Sequence, residues 1–381
     1  MLDIYVLTLG LALLIALLAG TLLHVLSRTG RVGVVFGAAW RPSERPRWGG
    51  TSVFLAFALA PLLAAAISPG ASDIFAPKIG DFLGFLGACA LVFGIGLFDD
   101  WKVASWKQKL LGQLVAASAV YAAGYRIDSF GLPWGPDVGL YFLGPVVTVL
   151  WILFFANSIN LIDGRDGVAG GVTIFAAVAL ALVASHAEHP TVALLLMALA
   201  GGVLGFLFFN LPPATAYLGD SGALLLGFVL GSLSIRASTG PTESVFVAVP
   251  IVALGFPLLD TALAAVRRAA DARHPLVGDL DHIHHRLERA GLGPRGLLAT
   301  IYVLSGMFSG AAVILHYVDS VVLEAVLFVV LLTLVAVILT TLGYVVSLWN
   351  SSVAIRLRHA LGFFAASTTG PGSGNSKQLP R

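Results

Sequence analysis

Charged residues are scarce in this sequence: they make up 11% of its 381 residues, against about 25% in a typical soluble domain. Hydrophobic residues make up 58%, and the composition gives no sign of a second, soluble domain. The single cysteine, Cys89, excludes a disulfide within the chain and a zinc site built from cysteines. The net charge of +2 is too small to indicate nucleic acid binding. The scarcity of charged residues and the abundance of hydrophobic residues predict an integral membrane protein.

Long apolar segments dominate what is present. A helix needs about 20 apolar residues to cross a bilayer. The first such run lies at the N-terminus. Because it has no cleavage-site pattern, it is predicted to be a membrane-spanning helix and not a signal peptide. Eleven candidate spans follow from the sequence, at 3–27, 52–69, 82–98, 109–125, 140–161, 168–186, 191–209, 221–236, 244–266, 298–317 and 321–348. The predicted fold class is an all-α integral membrane protein, with one polytopic domain over 1–349 and a largely disordered tail over 350–381. A turn-rich stretch, 127–139, is predicted to form a small external hairpin.

The basic residues are distributed unevenly between the predicted loops. If the N-terminus lies outside, the segments facing the cytoplasm hold 19 of the 22 Lys and Arg residues, and only Lys78, Arg126 and Arg236 lie elsewhere. Because positive charge is concentrated on the cytoplasmic side of membrane proteins, the sequence predicts an external N-terminus and a cytoplasmic C-terminus. The predicted location is the plasma membrane.

An aspartate pair closes the third predicted span. Asp99 and Asp100 are adjacent, and Lys109 follows at the start of the next span. Two carboxylates and a nearby cation indicate either a metal- or phosphate-binding pair or an interfacial charge cluster. The spaced DDxxD motif that holds magnesium diphosphate in prenyltransferases is excluded, because Val103 stands at its last position.

A second polar group interrupts an apolar helix within NSINLIDGRDGVAGG, residues 157–171. Asn157, Asn160, Asp163 and Asp166 recur at every third position, which keeps them roughly on one helix face. Carboxylate and amide oxygens suit Mg²⁺, which takes one or two carboxylates together with substrate phosphates. A helix cap needs only one such residue, so four of them favour a binding site.

Two further groups lie at the same predicted membrane face. Asn210 precedes a Pro pair and the block GDSG, in which Asp220 begins a span either as a helix cap or as a metal ligand. Asp260 lies in the ninth predicted span. Three histidines fall within four positions, His282, His284 and His285. With Arg286 they suit the phosphates of a nucleotide; they are also compatible with a metal-binding tract or a solvated loop.

These blocks, FDD, NxxNxxDGxDG, GDSG and HIHH in this order, resemble the polyprenyl-phosphate N-acetylhexosamine-1-phosphate transferase family, over about residues 41–290. The resemblance implies transfer of a sugar 1-phosphate from a UDP-sugar to undecaprenyl phosphate with release of UMP, as the first membrane step of a cell-envelope polysaccharide. It implies Mg²⁺, with Mn²⁺ as a substitute, an active site on the cytoplasmic side, the lipid bilayer as a partner, and a homodimer of the kind found in the family.

The resemblance also assigns roles to individual positions. The residues predicted to be catalytic are Asp99, Asp100, Asp220, His282, His284 and His285. Those predicted to bind the substrates are Lys109, Asn157, Asp163, Asp166 and Asn210, to which the chemistry of the histidine segment adds Arg286. The predicted metal ligands are Asn160 and Asp220.

The sequence leaves the sugar and one rival class open. The HIHH form resembles the UDP-GlcNAc type more than the muramoyl-pentapeptide type, which stays the alternative within the family, along with other UDP-N-acetylhexosamines. Two departures bear on the sugar: the first cytoplasmic motif, PRWGG at 46–50, lacks its upstream histidine, and Arg165 fills a slot that is usually apolar. The rival class is a polytopic transporter, which would carry ionisable groups near mid-membrane.

Overall fold

The computed structural model describes residues 1–28, 45–131, 136–240, 244–271, 281–318 and 320–344. Within these ranges the chain is predominantly helical, as the apolar composition predicts. The predicted tail, 350–381, and the last residues of the final predicted span lie outside the described residues.

The helices follow one another with short connections. In chain order they are α1 (Leu2–Arg28), α2 (Gly49–Ile67), α3 (Pro69–Phe75), α4 (Ile79–Lys102), α5 (Trp106–Ala122), α6 (Gly144–Ile162), α7 (Val168–His186), α8 (Pro190–Asn210), α9 (Gly219–Ala237), α10 (Ala248–Ala253), α11 (Gly255–Ala270), α12 (Ile283–Arg289), α13 (Pro294–Tyr317) and α14 (Val321–Thr341). The strands β1 (Ser129–Phe130) and β2 (Val138–Gly139) pair antiparallel. The hairpin predicted within 127–139 is thus confirmed.

Nine segments of the described chain are long and apolar enough to cross a membrane, which supports the all-α integral membrane class. They correspond to nine of the eleven predicted spans. The predicted fourth span is α5, which has only 17 residues. The predicted ninth span is divided into α10 and α11.

A proline explains the break in the ninth predicted span. Pro257 has no N–H to donate to the carbonyl of Ala253, and its ring clashes with a helical carbonyl at that position. The structure ends α10 at Ala253, and Ser309 of α13 donates a hydrogen bond to the Ala253 carbonyl at 3.1 Å. The freed acceptor is therefore satisfied by a neighbouring helix, as membrane-embedded backbone requires.

The helix α9 lies at the centre of the bundle. It packs against α2, α4, α6, α7 and α8. Of its most apolar 18 residues, 89% are buried inside the protein. Glycines allow these contacts: a methyl group at Gly227 would lie 2.5 Å from the Phe155 carbonyl oxygen of α6. Small residues at such positions let helix backbones approach closely in lipid. The bundle therefore fixes the N-terminus of α9, where Asp220 lies.

Replacing Gly96 by alanine should both destabilise the protein and disturb this N-terminus. A methyl group at Gly96 of α4 would lie 2.4 Å from Ser221 Cα and 2.6 Å from the Asp220 carbonyl oxygen, and overpacking of this kind costs about 1–3 kcal/mol. We expect Gly96→Ala to lower the melting temperature of the detergent-solubilised protein.

The matched control for this prediction lies on the same helix. A methyl group at Gly84 would meet nothing within 4 Å, and a helical Gly→Ala change there reduces the entropy of the unfolded chain. Gly84→Ala should therefore keep or raise the melting temperature. Equal melting temperatures for the two variants would contradict the close α4–α9 contact.

Candidate functional site

A lysine joins two carboxylates from separate helices. Lys109 Nζ lies 2.6 Å from Asp99 Oδ2 and 2.7 Å from Asp220 Oδ2. The chain reverses between α4 and α5 through Val103, whose φ is 54°. Ser105 then caps α5 in a capping box with Gln108. This local turn returns Lys109 to the end of α4 and so places it between the two acids.

The second aspartate of the pair has a different set of partners. The two oxygens of Asp100 accept the backbone N–H groups of Asp220 and Ser221, each at 3.0 Å. Gly219 opens this turn with a φ of +77°, and a methyl group on it would lie 2.6 Å from Asp100 Oδ2. A carboxylate at a helix N-terminus satisfies free N–H groups and interacts favourably with the helix dipole. Asp100 therefore holds Asp220 in place, with Arg47 Nη1 at 3.5 Å from Asp100 Oδ1.

The two asparagines of α6, Asn157 and Asn160, have different hydrogen-bond partners. Asn160 Nδ2 donates a hydrogen bond to Asp220 Oδ1 at 3.3 Å. Asn157 instead donates to Gln113 Oε1 at 2.8 Å and to the Leu153 carbonyl at 2.7 Å. The structure thus brings Asn160 to the site and places Asn157 in the contact between α5 and α6.

A cavity of about 510 Å³ opens beside Asp220. Its lining residues come from the segment before α2, the turn after α6, the end of α8, the α8–α9 connection, the start of α9, α12 and α13. They are Arg47, Asp163, Gly164, Arg165, Asp166, Asn210, Pro212, Tyr217, Leu218, Gly219, Asp220, Glu288, Pro294 and Leu297. Of the predicted site residues, Asp163, Asp166, Asn210 and Asp220 line this cavity. The volume is within the range of small-molecule sites.

Acidic side chains outnumber basic ones in the lining of the cavity. Burial, followed by the charges of Asp220 and Asp100, raises the pKa of Asp163 well above its usual range. Carboxylates this close disfavour each other's ionisation. The arrangement therefore favours a cation, or a substrate that arrives with one.

Two of the predicted binding residues also organise the cavity walls. Asp166 Oδ2 accepts from Arg45 Nη1 at 3.2 Å and from the Ala214 backbone N–H at 3.1 Å. Asn210 Oδ1 accepts the Gly167 N–H at 2.9 Å, and its Nδ2 donates to the Ala216 carbonyl at 3.0 Å. Both side chains thus tie the turn between α6 and α7 to the connection between α8 and α9.

The histidine segment is fixed by a buried aspartate. Asp260 of α11 accepts from the Ile283 N–H at 2.8 Å and lies 2.8 Å from His282 Nδ1. The His284 ring packs against the turn after α6, since a methyl group at Gly164 would lie 3.1 Å from His284 Nε2. Burial, and next the charge of His285, lower the pKa of His284 to about 4. His284 is therefore a neutral imidazole at neutral pH, at the back of the cavity wall.

Arg286, predicted to bind substrate, contacts Asp281 and the residues that follow α14. Its Nε donates to Asp281 Oδ2 at 3.1 Å and its Nη1 to the Leu342 carbonyl at 2.7 Å. Its guanidinium carbon lies 3.8 Å from the centre of the Tyr344 ring, a distance at which a cation–π interaction stabilises the pair. Arg286 therefore connects the histidine segment to the end of α14 and is not part of the cavity lining.

Several lining residues were not predicted from the sequence. Arg47 and Tyr217 belong to the wall next to α2, and the motif PRWGG that carries Arg47 was the available signal. Arg165 was noted only as a departure, and Glu288 was not singled out. Asp260 was noted as an acidic residue in an apolar span, but its contact with His282 required the folded chain.

The oxygen ligands fit a magnesium ion that is carried by a substrate. Among the described residues, no three or more His, Cys, Asp or Glu side chains converge into a group that could hold a metal alone. Mg²⁺ commonly uses one or two protein carboxylates together with phosphates and water. Asp220, which lines the cavity, and Asn160, whose amide lies 3.3 Å from Asp220 Oδ1, supply oxygen ligands of the required kind.

Comparison with known proteins identifies relatives over most of the chain. The family described as glycosyl transferase family 4 matches residues 82–238. A probable undecaprenyl-phosphate N-acetylglucosaminyl 1-phosphate transferase of Bacillus subtilis is 32% identical over 323 residues, which cover 83% of this chain and 87% of that protein. A decaprenyl-phosphate N-acetylglucosaminephosphotransferase of Mycolicibacterium smegmatis is 33% identical over 74% of this chain and 76% of its own length.

A second type of relative matches a smaller share of the chain. A phospho-N-acetylmuramoyl-pentapeptide-transferase of Desulforamulus reducens is 33% identical over 246 residues, which cover 58% of this chain and 70% of that protein. The matches to the two N-acetylglucosamine proteins extend over a larger share of the chain.

Proposed function

The chain belongs to the polyprenyl-phosphate N-acetylhexosamine-1-phosphate transferases of glycosyl transferase family 4, and from this membership we propose that it transfers N-acetylglucosamine 1-phosphate from UDP-GlcNAc to undecaprenyl phosphate. UMP is the second product. The choice of sugar is supported by the relatives that match most of the chain, which are named for N-acetylglucosamine. The muramoyl-pentapeptide substrate is the second candidate.

One observation carries this proposal: Lys109 joins Asp99, at the end of α4, to Asp220, at the edge of the cavity. The reaction brings together two anionic substrates, a lipid phosphate and a nucleotide diphosphate, so it needs cations and positioning more than covalent chemistry. We assign the UDP-sugar to the cavity and the lipid phosphate to the Asp99–Lys109 side.

The proposed reaction is a direct displacement. An oxygen of the undecaprenyl phosphate attacks the phosphorus that carries the sugar, and the bond from that phosphorus to the bridging oxygen breaks. The bridging oxygen leaves with UMP, and a new diphosphate joins lipid and sugar. Because a phosphate monoester is already an anion near neutral pH, Asp99 is needed to orient the nucleophile rather than to form a covalent intermediate.

The protein side chains prepare this displacement electrostatically. Lys109 donates hydrogen bonds to Asp99 and Asp220, and Asp100 holds the N-terminus of α9 behind Asp220. We propose that Asp220 and Asn160 hold Mg²⁺ with the diphosphate, where the ion would neutralise the charge that develops on the leaving group. Neutral His284 keeps the turn after α6 in place behind the cavity.

The membrane orientation is part of the proposal. Eleven crossings, with α5 and the pair α10–α11 counted as spans, would place the N-terminus outside and the C-terminus in the cytoplasm. Arg45 pairs with Asp166 and Arg47 with Asp100, and this positive charge beside the site supports a location on the cytoplasmic side. A plasma-membrane location and a homodimer remain predictions.

The test is release of UMP by the purified protein. We expect UMP only when UDP-GlcNAc, undecaprenyl phosphate and Mg²⁺ are all present, and loss of the product when EDTA is added. UDP-N-acetylgalactosamine and UDP-MurNAc-pentapeptide serve as comparison donors. Faster release with the pentapeptide donor would assign the second candidate substrate, and release without lipid or without metal would contradict the proposed reaction.

A further inference from the structure

An ion pair spans two walls of the cavity. Arg165 Nε lies 2.5 Å from Glu288 Oε1, and Arg165 Nη2 lies 2.7 Å from Glu288 Oε2. The two parallel hydrogen bonds form a bidentate pair, which is stronger and more directional than a single contact. Both residues line the cavity, and 123 positions separate them in the sequence.

Electrostatics show that each partner stabilises the charge of the other. The hydrogen bond from Arg165 holds the pKa of Glu288 below its usual range, and the same bond raises the pKa of Arg165. Without Arg165, Glu288 would lose the guanidinium that pairs with it, in a cavity whose lining also includes the carboxylates of Asp163, Asp166 and Asp220. The pair thus explains an arginine at a position where the family resemblance predicts an apolar residue.

The ion pair also helps to hold the short helix α12 against the turn after α6. The seven residues of α12 are too few to be stable without tertiary contacts. Asp260 fixes its start through His282 and Ile283. Near its end, Glu288 is the residue that connects it to the turn after α6, one turn beyond the contact between His284 and Gly164.

We propose that Arg165 and Glu288 form a clasp that holds α12 against the turn 163–167 and thereby sets the width of the nucleotide-sugar cavity. This role rests on the proposed function for its effect on the UDP-sugar. It makes Arg165 and Glu288 positioning residues, which act through the cavity wall. The clasp affects the UDP-sugar and not the lipid phosphate, because the lipid phosphate is assigned to Asp99 and Lys109.

The experiment uses two single charge reversals, Arg165→Glu and Glu288→Arg, and the double variant that combines them. In Arg165→Glu and in Glu288→Arg, like charges face each other, so we expect the KM for UDP-GlcNAc to rise about 5-fold, a size typical of partly exposed pairs. The double variant restores opposite charges and should return this KM to within about 2-fold of the wild type. The KM for undecaprenyl phosphate should stay unchanged in all three proteins.

A second readout does not depend on activity. Amide hydrogen exchange over 283–289, measured without substrates, should be faster in each single variant and restored in the double variant. The control is the reversed pair Lys78→Asp/Asp81→Lys on an exposed turn of the chain, which should alter neither exchange at 283–289 nor the KM values.

The outcomes separate this inference from the proposed function. If the wild type releases no UMP, the proposed function fails, and hydrogen exchange alone decides whether the clasp exists. Unchanged exchange in both single variants would overturn the clasp. It would also be overturned by a double variant no better than the worse single variant, or by faster exchange with an unchanged KM for UDP-GlcNAc.

Discussion

Asp220→Asn should lower the rate of UMP release by about 10²–10³-fold, the usual cost of removing one preorganised electrostatic contact from an active site. One Asp220 oxygen accepts from Lys109 and the other lies 3.3 Å from Asn160 Nδ2. The amide has the shape of the carboxylate but not its charge, so it should bind the diphosphate-bound cation weakly. We therefore expect the Mg²⁺ concentration for half-maximal rate to rise as well.

The measurement is a Mg²⁺ titration of UMP release, with thermal unfolding recorded on the same preparations. Because the backbone N–H of Asp220 still reaches Asp100, Asp220→Asn should unfold near the wild-type temperature. Asp81→Asn, at an exposed carboxylate of the first turn of α4, is the control and should leave the titration unchanged. Full activity of Asp220→Asn with the wild-type Mg²⁺ dependence would remove Asp220 from the metal assignment.

Helix geometry explains why the sequence could predict only part of the site. Three residues of an α-helix turn by about 300°, so a three-residue repeat drifts by about 60° at each step. Asn160 therefore faces α9 and Asp220, while Asn157, one step earlier, faces Gln113 of α5. The repeat identified the right segment, but it could not show which members lie on the α9 side.

Helix geometry also gives the two adjacent aspartates, Asp99 and Asp100, different partners. Adjacent helical residues lie about 100° apart, so Asp99 reaches Lys109 while Asp100 reaches the backbone of Asp220 and Ser221. The sequence predicted a shared role for two neighbouring carboxylates. Their different roles depend on the position of α9, which is 120 residues away in the chain and is set by glycine-mediated packing.

On the histidine helix, one predicted residue, Arg286, is not part of the cavity lining, and one lining residue, Glu288, was missed. Arg286 was grouped with the histidines because it is next to them, yet two positions along a helix turn by about 200°, so it points away from His284 toward Tyr344. Glu288 is four residues from His284 and three from His285, the spacing that puts side chains on one face. Applied within HIHHRLER, that rule would have selected Glu288.

Replacing Lys109 by methionine should reduce UMP release by about 10²–10³-fold, because it removes a cation from a site where two anionic substrates must meet. Lys109 Nζ makes hydrogen bonds of 2.6 and 2.7 Å to Asp99 and Asp220. Methionine fills a similar volume but leaves the two carboxylates facing each other without a charge between them. The loss should therefore appear in kcat, and excess UDP-GlcNAc should not restore it.

The control for this prediction lies two residues away on the same helix. The ammonium of Lys107 lies over the Trp106 ring, so Lys107→Met removes the same charge without touching either carboxylate and should retain most of the activity. An effect of Lys109→Met on KM alone would assign the lysine to substrate binding. Loss of kcat with a normal KM for both substrates would instead mean that Lys109 acts mainly in the transition state. That result would support direct attack by the lipid phosphate, since a lysine shared by Asp99 and Asp220 lies where the attacking phosphate and the diphosphate must come together.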